Sequence, residues 1–375
     1  MLKKRNKIKQ FFLLIILLLT ALSGCGEFKD IDKDVFVSMI GIDLSDDPEK
    51  PYKVTLKLYV PTSSFKQSPK PEYTYLTKNG KTLTEAIRIL ETHSDKEVDF
   101  GHSKLIVIGE ELLNANKSKE IMDFLLRRPD IQMISWLAIG RPSAEEIVKM
   151  VPRSETAAYP ALFNYFDHNG TDSPYIVTTY LFDFRRKMVE TGIDPILPII
   201  EINKEEEHFE VNKSFVLAHD KKPHELSSRD TLIFNMMTRN LDVADLVINK
   251  DNQHFIAKID NINSKYKVKV DAQHQVELNI NIELFGFISE SKDTMSNKQL
   301  PQYSKMVEAE TKEKFSDFFT KMLNAGYDPI GFGLAYKSKT LHNKRMSPNE
   351  WNEAYKNSKV NIKVMAGIKS TGSIQ

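Results

Sequence analysis

Val276-Glu277-Leu278-Asn279-Ile280-Asn281-Ile282-Glu283-Leu284 is the stretch that decides the fold of the C-terminal half. Apolar and polar residues alternate along it without interruption, which places every apolar side chain on one face of a β-strand. Such a strand belongs to an antiparallel sheet with one face in the core and the other in water. The buried face therefore needs a cover.

A long helix downstream supplies that cover. It is predicted from about Gln302 to Ala325, with large apolar residues at i, i+3, i+4, i+7 and i+8 beginning at Phe315. Further strands are predicted around it: Glu210 to Ala218, Asn240 to Ile248, Gln253 to Asn261, Tyr266 to Val270, and a closing strand with Val360, Ile362, Val364, Ala366 and Ile368 on one face. Residues 201–375 are thus predicted to be an α+β domain, an antiparallel meander plus a long helix.

The N-terminal half alternates between the two periodicities. In chain order the patterns predict a strand from Tyr52 to Val60, a helix begun by Thr82 and Glu85, a buried strand from Leu105 to Ile108, a helix from Glu120 to Arg128 stopped by Pro129, a strand from Ile131 to Ile139, a short helix capped by Ser143, and helical patches at Ala157 to Tyr165 and Thr179 to Val189. Residues 25–200 are predicted to be a mixed α/β domain, with a division into two lobes left open. The whole is predicted to be a multi-domain, mixed α+β protein whose sheets are covered by helices.

The first 24 residues predict export. Five cationic residues precede an unbroken apolar run from Phe11 to Leu19, which is well short of the roughly 20 residues that a spanning helix needs. Leu22-Ser23-Gly24 then leads into Cys25, the chain's one cysteine, and this stretch resembles the lipobox of bacterial lipoproteins. Residues 1–24 are therefore predicted to be a lipoprotein signal peptide and Cys25 the lipidation site. A plain transmembrane anchor is the alternative.

Composition narrows the classes of partner. The chain has 52 Lys plus Arg against 51 Asp plus Glu, so no basic excess indicates nucleic acid. Loss of residues 1–24 takes five positive charges from a formal net charge of +1 and leaves −4. A mildly acidic chain does not favour anionic lipid headgroups, so we expect the acyl anchor to provide the attachment to the bilayer. No later segment approaches 18 consecutive apolar residues, and the body is expected to be water-soluble.

Candidate catalytic motifs each have a simpler interpretation. Asp99-Phe100-Gly101 spells a kinase metal motif, but no phosphate loop accompanies it. Gly331-Phe332-Gly333 lacks the third glycine of a dinucleotide fingerprint and is interpreted as a turn. Glu110 and Glu111 diverge on a helix, and Arg127 with Arg128 is interpreted as a basic helix C-terminus.

Metal ligands and nucleophiles are not predicted either. His102 is interpreted as a surface or hydrogen-bonded residue, no HExxH or GxSxG motif occurs, and a single cysteine excludes CxxC redox centres. The sequence predicts no enzyme, no cofactor and no metal.

Several segments taken in order resemble the Ger(x)C family, the C-subunit lipoproteins of spore germinant receptors. They are Met39-Ile40-Gly41-Ile42-Asp43, the ten residues from His102 to Glu111, Phe124-Leu125-Leu126-Arg127-Arg128-Pro129-Asp130-Ile131, Tyr327-Asp328-Pro329-Ile330-Gly331-Phe332-Gly333, and the closing strand from Val360 to Gly367. The family often has Trp just after the lipidated cysteine, where this chain has Gly26-Glu27.

The resemblance implies a fold of several mixed α/β domains and a non-enzymatic role in germination. It also implies two integral membrane partner subunits, A-type and B-type, and a place on the outer face of the spore inner membrane. Asp328, Pro329, Gly331 and Gly333 are interpreted as structural turn residues, with an interface role as the alternative. A solute-binding lipoprotein of a transporter, with two βαβ lobes, and an anchored hydrolase remain as other functions.

Overall fold

The computed structural model describes residues 33–59, 73–115, 117–155, 160–218, 221–239, 241, 243–250, 252–292 and 294–372. Its strands are β1 (Asp34–Leu44), β2 (Tyr52–Tyr59), β3 (Thr74–Gly80), β4 (Glu97–Asp99), β5 (Leu105–Gly109), β6 (Trp136–Arg141), β7 (Ile196–Asn203), β8 (His208–Val216), β9 (His224–Leu226), β10 (Ala244–Lys250), β11 (Gln253–Val270), β12 (Val276–Ser291) and β13 (Lys359–Ile368). Its α-helices are α1 (Leu83–Glu91), α2 (Glu110–Asn114), α3 (Ser118–Arg127), α4 (Ala144–Lys149), α5 (Phe163–Phe166), α6 (Leu181–Val189), α7 (Ser228–Thr238), α8 (Leu300–Ala325), α9 (Phe332–Lys339) and α10 (Pro348–Lys356).

The first sheet has the strand order β3-β2-β1-β5-β6-β7-β8-β9, with β4 beside the start of β1. Strands β1, β5, β6 and β7 run parallel, whereas β2, β3, β8 and β9 pair antiparallel to their neighbours. Helices α1, α2, α3 and α6 pack on one face, and α4 and α5 pack on the other. Because both faces are covered, β1 and β5 are buried almost throughout and lack a polar alternation.

The second sheet has the order β10-β11-β12-β13 and is covered by α8. Phe315, Phe318 and Phe319 of this helix are buried against the inner residues of β12. The alternating stretch and the long helix thus meet as predicted. The closing strand β13 runs parallel to β12, since α8, α9 and α10 lie between the two strands in sequence.

Two segments that were predicted to be separate strands form a single strand in the structure. The segments Gln253 to Asn261 and Tyr266 to Val270 form the single strand β11, with an irregularity between Ile259 and Asn261. Before it odd-numbered residues face the core, and after it even-numbered residues do, which breaks the alternation in the sequence.

Two other strand predictions were wrong at their N-terminal ends. The strand predicted from Ile131 begins at Trp136, because residues 128–135 form turns in which Ile131 donates to the Arg128 carbonyl and Ser135 to the Gln132 carbonyl. The strand predicted from Asn240 begins at Ala244.

A further helix was not predicted. Helix α7 is buried on nearly every side, so it carries no amphipathic pattern.

The predicted boundary between 200 and 201 falls within β7, and β8 and β9 extend the same sheet beyond it. The division into domains 25–200 and 201–375 stays a prediction. The fold class is confirmed, since two mixed sheets with covering helices make an α+β molecule. Within the described ranges, no helix has the length and apolar character that a membrane crossing requires.

Candidate functional site at the Asp194–Asp328 junction

The turn between α8 and α9 is held by a buried carboxylate. Gly326 ends α8 with φ +71° and Gly331 precedes α9 with φ +84°, both in the left-handed region that glycine adopts without strain. Asp328 lies between them and accepts hydrogen bonds from three backbone N–H groups, those of Gly331 (2.8 Å), Phe332 (3.0 Å) and Gly333 (2.8 Å). These are the N–H groups that a helix start leaves without an intrahelical partner.

A second aspartate clips this turn to the N-terminal half. The Asp328 backbone N–H donates to the Asp194 carboxylate at 2.7 Å, and the Asp194 backbone N–H donates to the Asp328 carbonyl at 2.9 Å. Asp194 lies just before β7, so the reciprocal pair joins the first sheet to the α8–α9 turn.

Burial dominates the electrostatics of the pair. The pKa of Asp328 is raised to about 7, chiefly by desolvation and also by the charge of the neighbouring Asp194, against the lowering effect of its three backbone donors. Desolvation also raises the pKa of Asp194, opposed by the Asp328 backbone N–H and by the charge of Lys221. Asp328 is buried and its oxygens accept three backbone N–H groups, so its role is to hold the backbone of this turn.

The segment before β7 and helix α9 come into close contact at two glycines, Gly192 and Gly333. Gly192 has φ +90°, and its carbonyl accepts a hydrogen bond from the Leu334 N–H at 2.7 Å. A Cβ atom on Gly333 would lie 2.6 Å from the Gly192 Cα and 2.5 Å from the Trp351 indole nitrogen. Only glycine fits at Gly333 without displacing its neighbours.

A cleft of about 810 Å³ opens beside this contact. The rings of Tyr336 and Trp351 stack in its wall with centroids 5.0 Å apart. Lys337 pairs with Glu190 across it at 2.9 Å, and Lys221 lies 4.8 Å over the Tyr327 ring. The cleft combines aromatic and charged surface from both halves of the chain, which suits contact with a partner.

A second buried aspartate has the same local role in the first sheet. Asp43 at the end of β1 accepts hydrogen bonds from the N–H groups of Ala144 and Glu145, each at 2.7 Å, and so holds the first turn of α4. Desolvation raises its pKa. Gly109 leaves room for this carboxylate, since a Cβ there would lie 2.2 Å from an Asp43 oxygen.

Arg141 ties three elements together at the end of β6. Its guanidinium nitrogens pair with Glu110 (2.6 Å), Glu201 (2.7 Å) and Glu225 (2.9 Å). Hydrogen bonds to these carboxylates, that to Glu110 first, raise the pKa of Arg141 despite its partial burial. The partners lie on α2, β7 and β9, on both sides of the predicted boundary.

The residues singled out in the sequence do not assemble into one centre. Arg128 follows the last residue of α3, binds Asp130 and lies 4.3 Å over the Phe100 ring. The His102 ring lies 4.3 Å from the Phe36 ring and is more than half exposed. Cys25, the predicted lipidation site, lies outside the described residues. Among the residues that the structure describes, no group of three or more His, Cys, Asp or Glu could hold a metal ion.

Sequence reasoning missed Asp194, the role of Asp43 and the partners of Arg141. Each acts across at least 31 residues of sequence, and no local periodicity marks such a contact. A local signal was present in the sequence, since Asp43, Arg141 and Asp328 each lie within two residues of a glycine and within three residues of the end of a strand or helix.

Two family models match the chain in succession. One, described as the spore germination protein N-terminal domain, matches residues 27–202, and the other, described as spore germination B3/GerAC like, C-terminal, matches residues 212–372. The second begins in β8, so the boundary between the two models falls within the first sheet.

Curated relatives come from Bacillus subtilis (strain 168). Spore germination protein B3 is 27% identical over 44% of this chain, and the alignment spans 44% of its own length. Putative spore germination protein YfkR is 23% identical over 96% of this chain and 95% of its own length. Spore germination protein KC is 20% identical over 51% of this chain and 49% of its own. The match thus spans about half the length of B3 and of KC and nearly all of YfkR.

One solved structure has the same fold. The crystal structure of the GerBC protein superposes with a TM-score of 0.54 at 15% identity, covering 88% of this chain and 97% of that chain. The two family models together match more than half of the chain. The chain therefore belongs to the GerAC-like family of spore germination proteins, the C subunits of germinant receptors.

Proposed function

We propose that this chain is a non-enzymatic lipoprotein subunit of a nutrient-germinant receptor. Lipidated Cys25 tethers it to the outer face of the spore inner membrane, where it contacts two integral membrane subunits, A-type and B-type. The observation that carries the proposal is the pair of family models over 27–202 and 212–372. The first begins two residues after Cys25, the last residue of the lipobox-like Leu22-Ser23-Gly24-Cys25.

The geometry fits a protein that acts by contact. Two of its buried carboxylates, Asp43 and Asp328, hold the first turns of helices. The cleft beside Asp194 exposes side chains from both halves of the chain, so one bound partner surface can touch both. Binding there would favour one arrangement of the halves and so transmit a signal.

The anchor is tested by Cys25→Ala. The thioether to the diacylglyceryl group needs the sulfur at this position, so the variant should accumulate as an unprocessed or mislocalised precursor. Mass spectrometry of the membrane fraction measures this. Detection of the normal diacylated mature form in the variant would refute the lipobox assignment.

The receptor role is tested in spores that lack the protein. We expect loss of the response to one class of nutrients and an intact response to a germinant that bypasses receptors. Equal loss under both stimuli would indicate a lytic function, and a primary defect in solute uptake would indicate a transporter component. Either result contradicts the proposal, as does an unchanged response to every nutrient in a strain with no second receptor.

A further inference from the structure

The outer face of the second sheet carries a basic patch, in contrast to the acidic chain as a whole. Lys265, Lys267 and Lys269 of β11 are exposed on it, and so are Lys359 and Lys363 of β13. This set is called here the lysine face. None of the five makes an ion pair with any residue in the described ranges.

The strand register sets the lysines in two rows. Between them lies β12: its outward residue Glu277 pairs with Lys269 and Lys359, and Asn281 pairs with Lys265 and Lys363. Glu283 lies next to this set, opposite Met365. Neighbouring strands are about 4.8 Å apart, so lysines on opposite sides of β12 are roughly 10 Å apart.

The lysine face is open to solvent because the long helix α8 packs on the opposite face of the sheet. The inward residues of β12 are buried against α8, whereas no helix within the described ranges packs on the outward residues. The lysine face together with Glu277 and Glu283 of β12 carries a formal charge of +3, which leaves −7 for the rest of the chain from Cys25 onward. Such separation orients the molecule in the field of an anionic surface.

The residue types indicate the kind of partner. Lysine is a compact charge on a flexible stem, whereas fixed carboxylates and phosphates in protein interfaces are bound by arginine in a bidentate fork. The face has no arginine, and it is bordered at one end by Met365 (45% exposed) and the half-buried Phe285. Diffuse lysine charge beside apolar side chains fits mobile anionic headgroups.

We propose that the lysine face is a docking surface for an anionic lipid bilayer. The acyl anchor holds the chain near the membrane, and the lysine face orients the body on it. The inference does not rest on the receptor role, because it concerns only the chain and a lipid surface.

The test uses residues 26–375, which include every described helix and strand and lack both the signal peptide and the anchor cysteine. Co-sedimentation is measured with vesicles of phosphatidylcholine alone and with equal parts phosphatidylglycerol. We expect binding to the anionic vesicles only, weakened by high salt because exposed charges are screened. The variant Lys265→Gln/Lys267→Gln/Lys269→Gln should bind about a hundredfold more weakly, since each lysine near an anionic leaflet contributes about fivefold.

The matched control removes the same charge elsewhere. Lys298, Lys305 and Lys312 are exposed on and beside α8, and their triple change to Gln should leave vesicle binding unchanged. Replacing the three β11 lysines by Arg should preserve it. Circular dichroism checks that each variant remains folded, and Lys359→Gln/Lys363→Gln tests the second row independently.

Three results would overturn the inference. They are no binding of the unchanged chain to anionic vesicles, equal binding to uncharged vesicles, and equal loss in the control triple. If the unchanged chain binds no vesicles but spores that carry the β11 variant fail to germinate, the face would be assigned to an acidic protein. A failed deletion experiment in spores leaves vesicle binding untouched, so the two proposals fail separately.

Discussion

Asp43 and Asp328 show how single residues shape this molecule. Each carboxylate accepts backbone N–H groups from the first turn of a helix. Glycines nearby leave the space that this close contact needs. Burying a carboxylate is costly unless hydrogen bonds replace water. The charge state of these residues is therefore coupled to folding.

Asp328→Asn should lower stability by about 1–3 kcal/mol, because an amide cannot accept all three N–H groups. An acid whose folded pKa is raised to about 7 keeps its proton in a range where the unfolded chain, with a pKa of about 4, has lost it. Its contribution to stability therefore falls as pH rises from about 4 to 7. The difference between wild type and variant should be largest at about pH 4 and shrink as the pH rises to about 7, measured by thermal unfolding.

Asp130→Asn is the control for that titration. The hydrogen bond from Arg128 lowers the pKa of Asp130, so its contribution is already complete above about pH 4 and should stay flat over the same range. A pH-independent difference for Asp328→Asn would contradict the assignment.

Lys57 and Glu155 form a second buried charged contact. Their side chains are each 1% exposed and 2.8 Å apart, and the Lys57 ammonium lies 4.0 Å from the centre of the Tyr73 ring. Removing one partner, in Lys57→Met or Glu155→Gln, should cost about 3–5 kcal/mol, because the other is left unpaired in the interior. The double variant should recover much of this loss in chemical denaturation. Additive losses would show that the pair is not coupled.

At the scale of elements, the contact between the loop before β7 and helix α9 joins the two halves. At this contact the backbone of Gly192 packs directly against the backbone of Gly333. The Asp194 carboxylate holds it by accepting a hydrogen bond from the Asp328 N–H. Elements that pack this closely have no room for a side chain.

Gly333→Ala should therefore destabilise the protein by about 1–3 kcal/mol through overpacking against Gly192 and Trp351. Gly101→Ala is the matched control, because a Cβ there meets only the Asp99 carboxylate at 3.0 Å and no backbone atom closer than 4.0 Å. Thermal unfolding compares the two. Equal melting temperatures would mean that the junction can relax.

At the scale of the whole molecule, the first sheet crosses the predicted domain boundary. Strands β8 and β9 extend β7, and Phe209, Val211 and Phe215 are buried in the cores of the first half. The N-terminal half therefore needs residues beyond 200 to complete its core.

A fragment of residues 26–200 should unfold with less cooperativity and at a lower temperature than a fragment of residues 26–226. The shorter fragment cuts β7 and leaves its buried residues without the covering strands. Circular dichroism melting of both fragments at equal concentration measures the difference. Identical melting curves would show that β8 and β9 belong to the C-terminal half alone.

Local pattern alone was sufficient for the elements that bury one face. The alternation of β12, the apolar stripe of α8 and the helix begun by Thr82 were all predicted from the sequence, because the periods of strand and helix are properties of neighbouring residues. The resemblance of ordered segments also identified the family. Helix α7 was not predicted, because a helix that is buried on nearly every side has no periodic pattern of apolar and polar residues.

Only the tertiary structure decided which distant residues meet. The hydrogen bonds between Asp194 and Asp328 join residues 134 positions apart. Strand β13 pairs with β12 although three α-helices separate the two strands in sequence. The two rows of the lysine face come from strands about 90 residues apart, set side by side by strand register. Pairing across such separations depends on how whole elements pack and on the entropy of closing the chain between them, and neither is recorded in a local stretch of sequence.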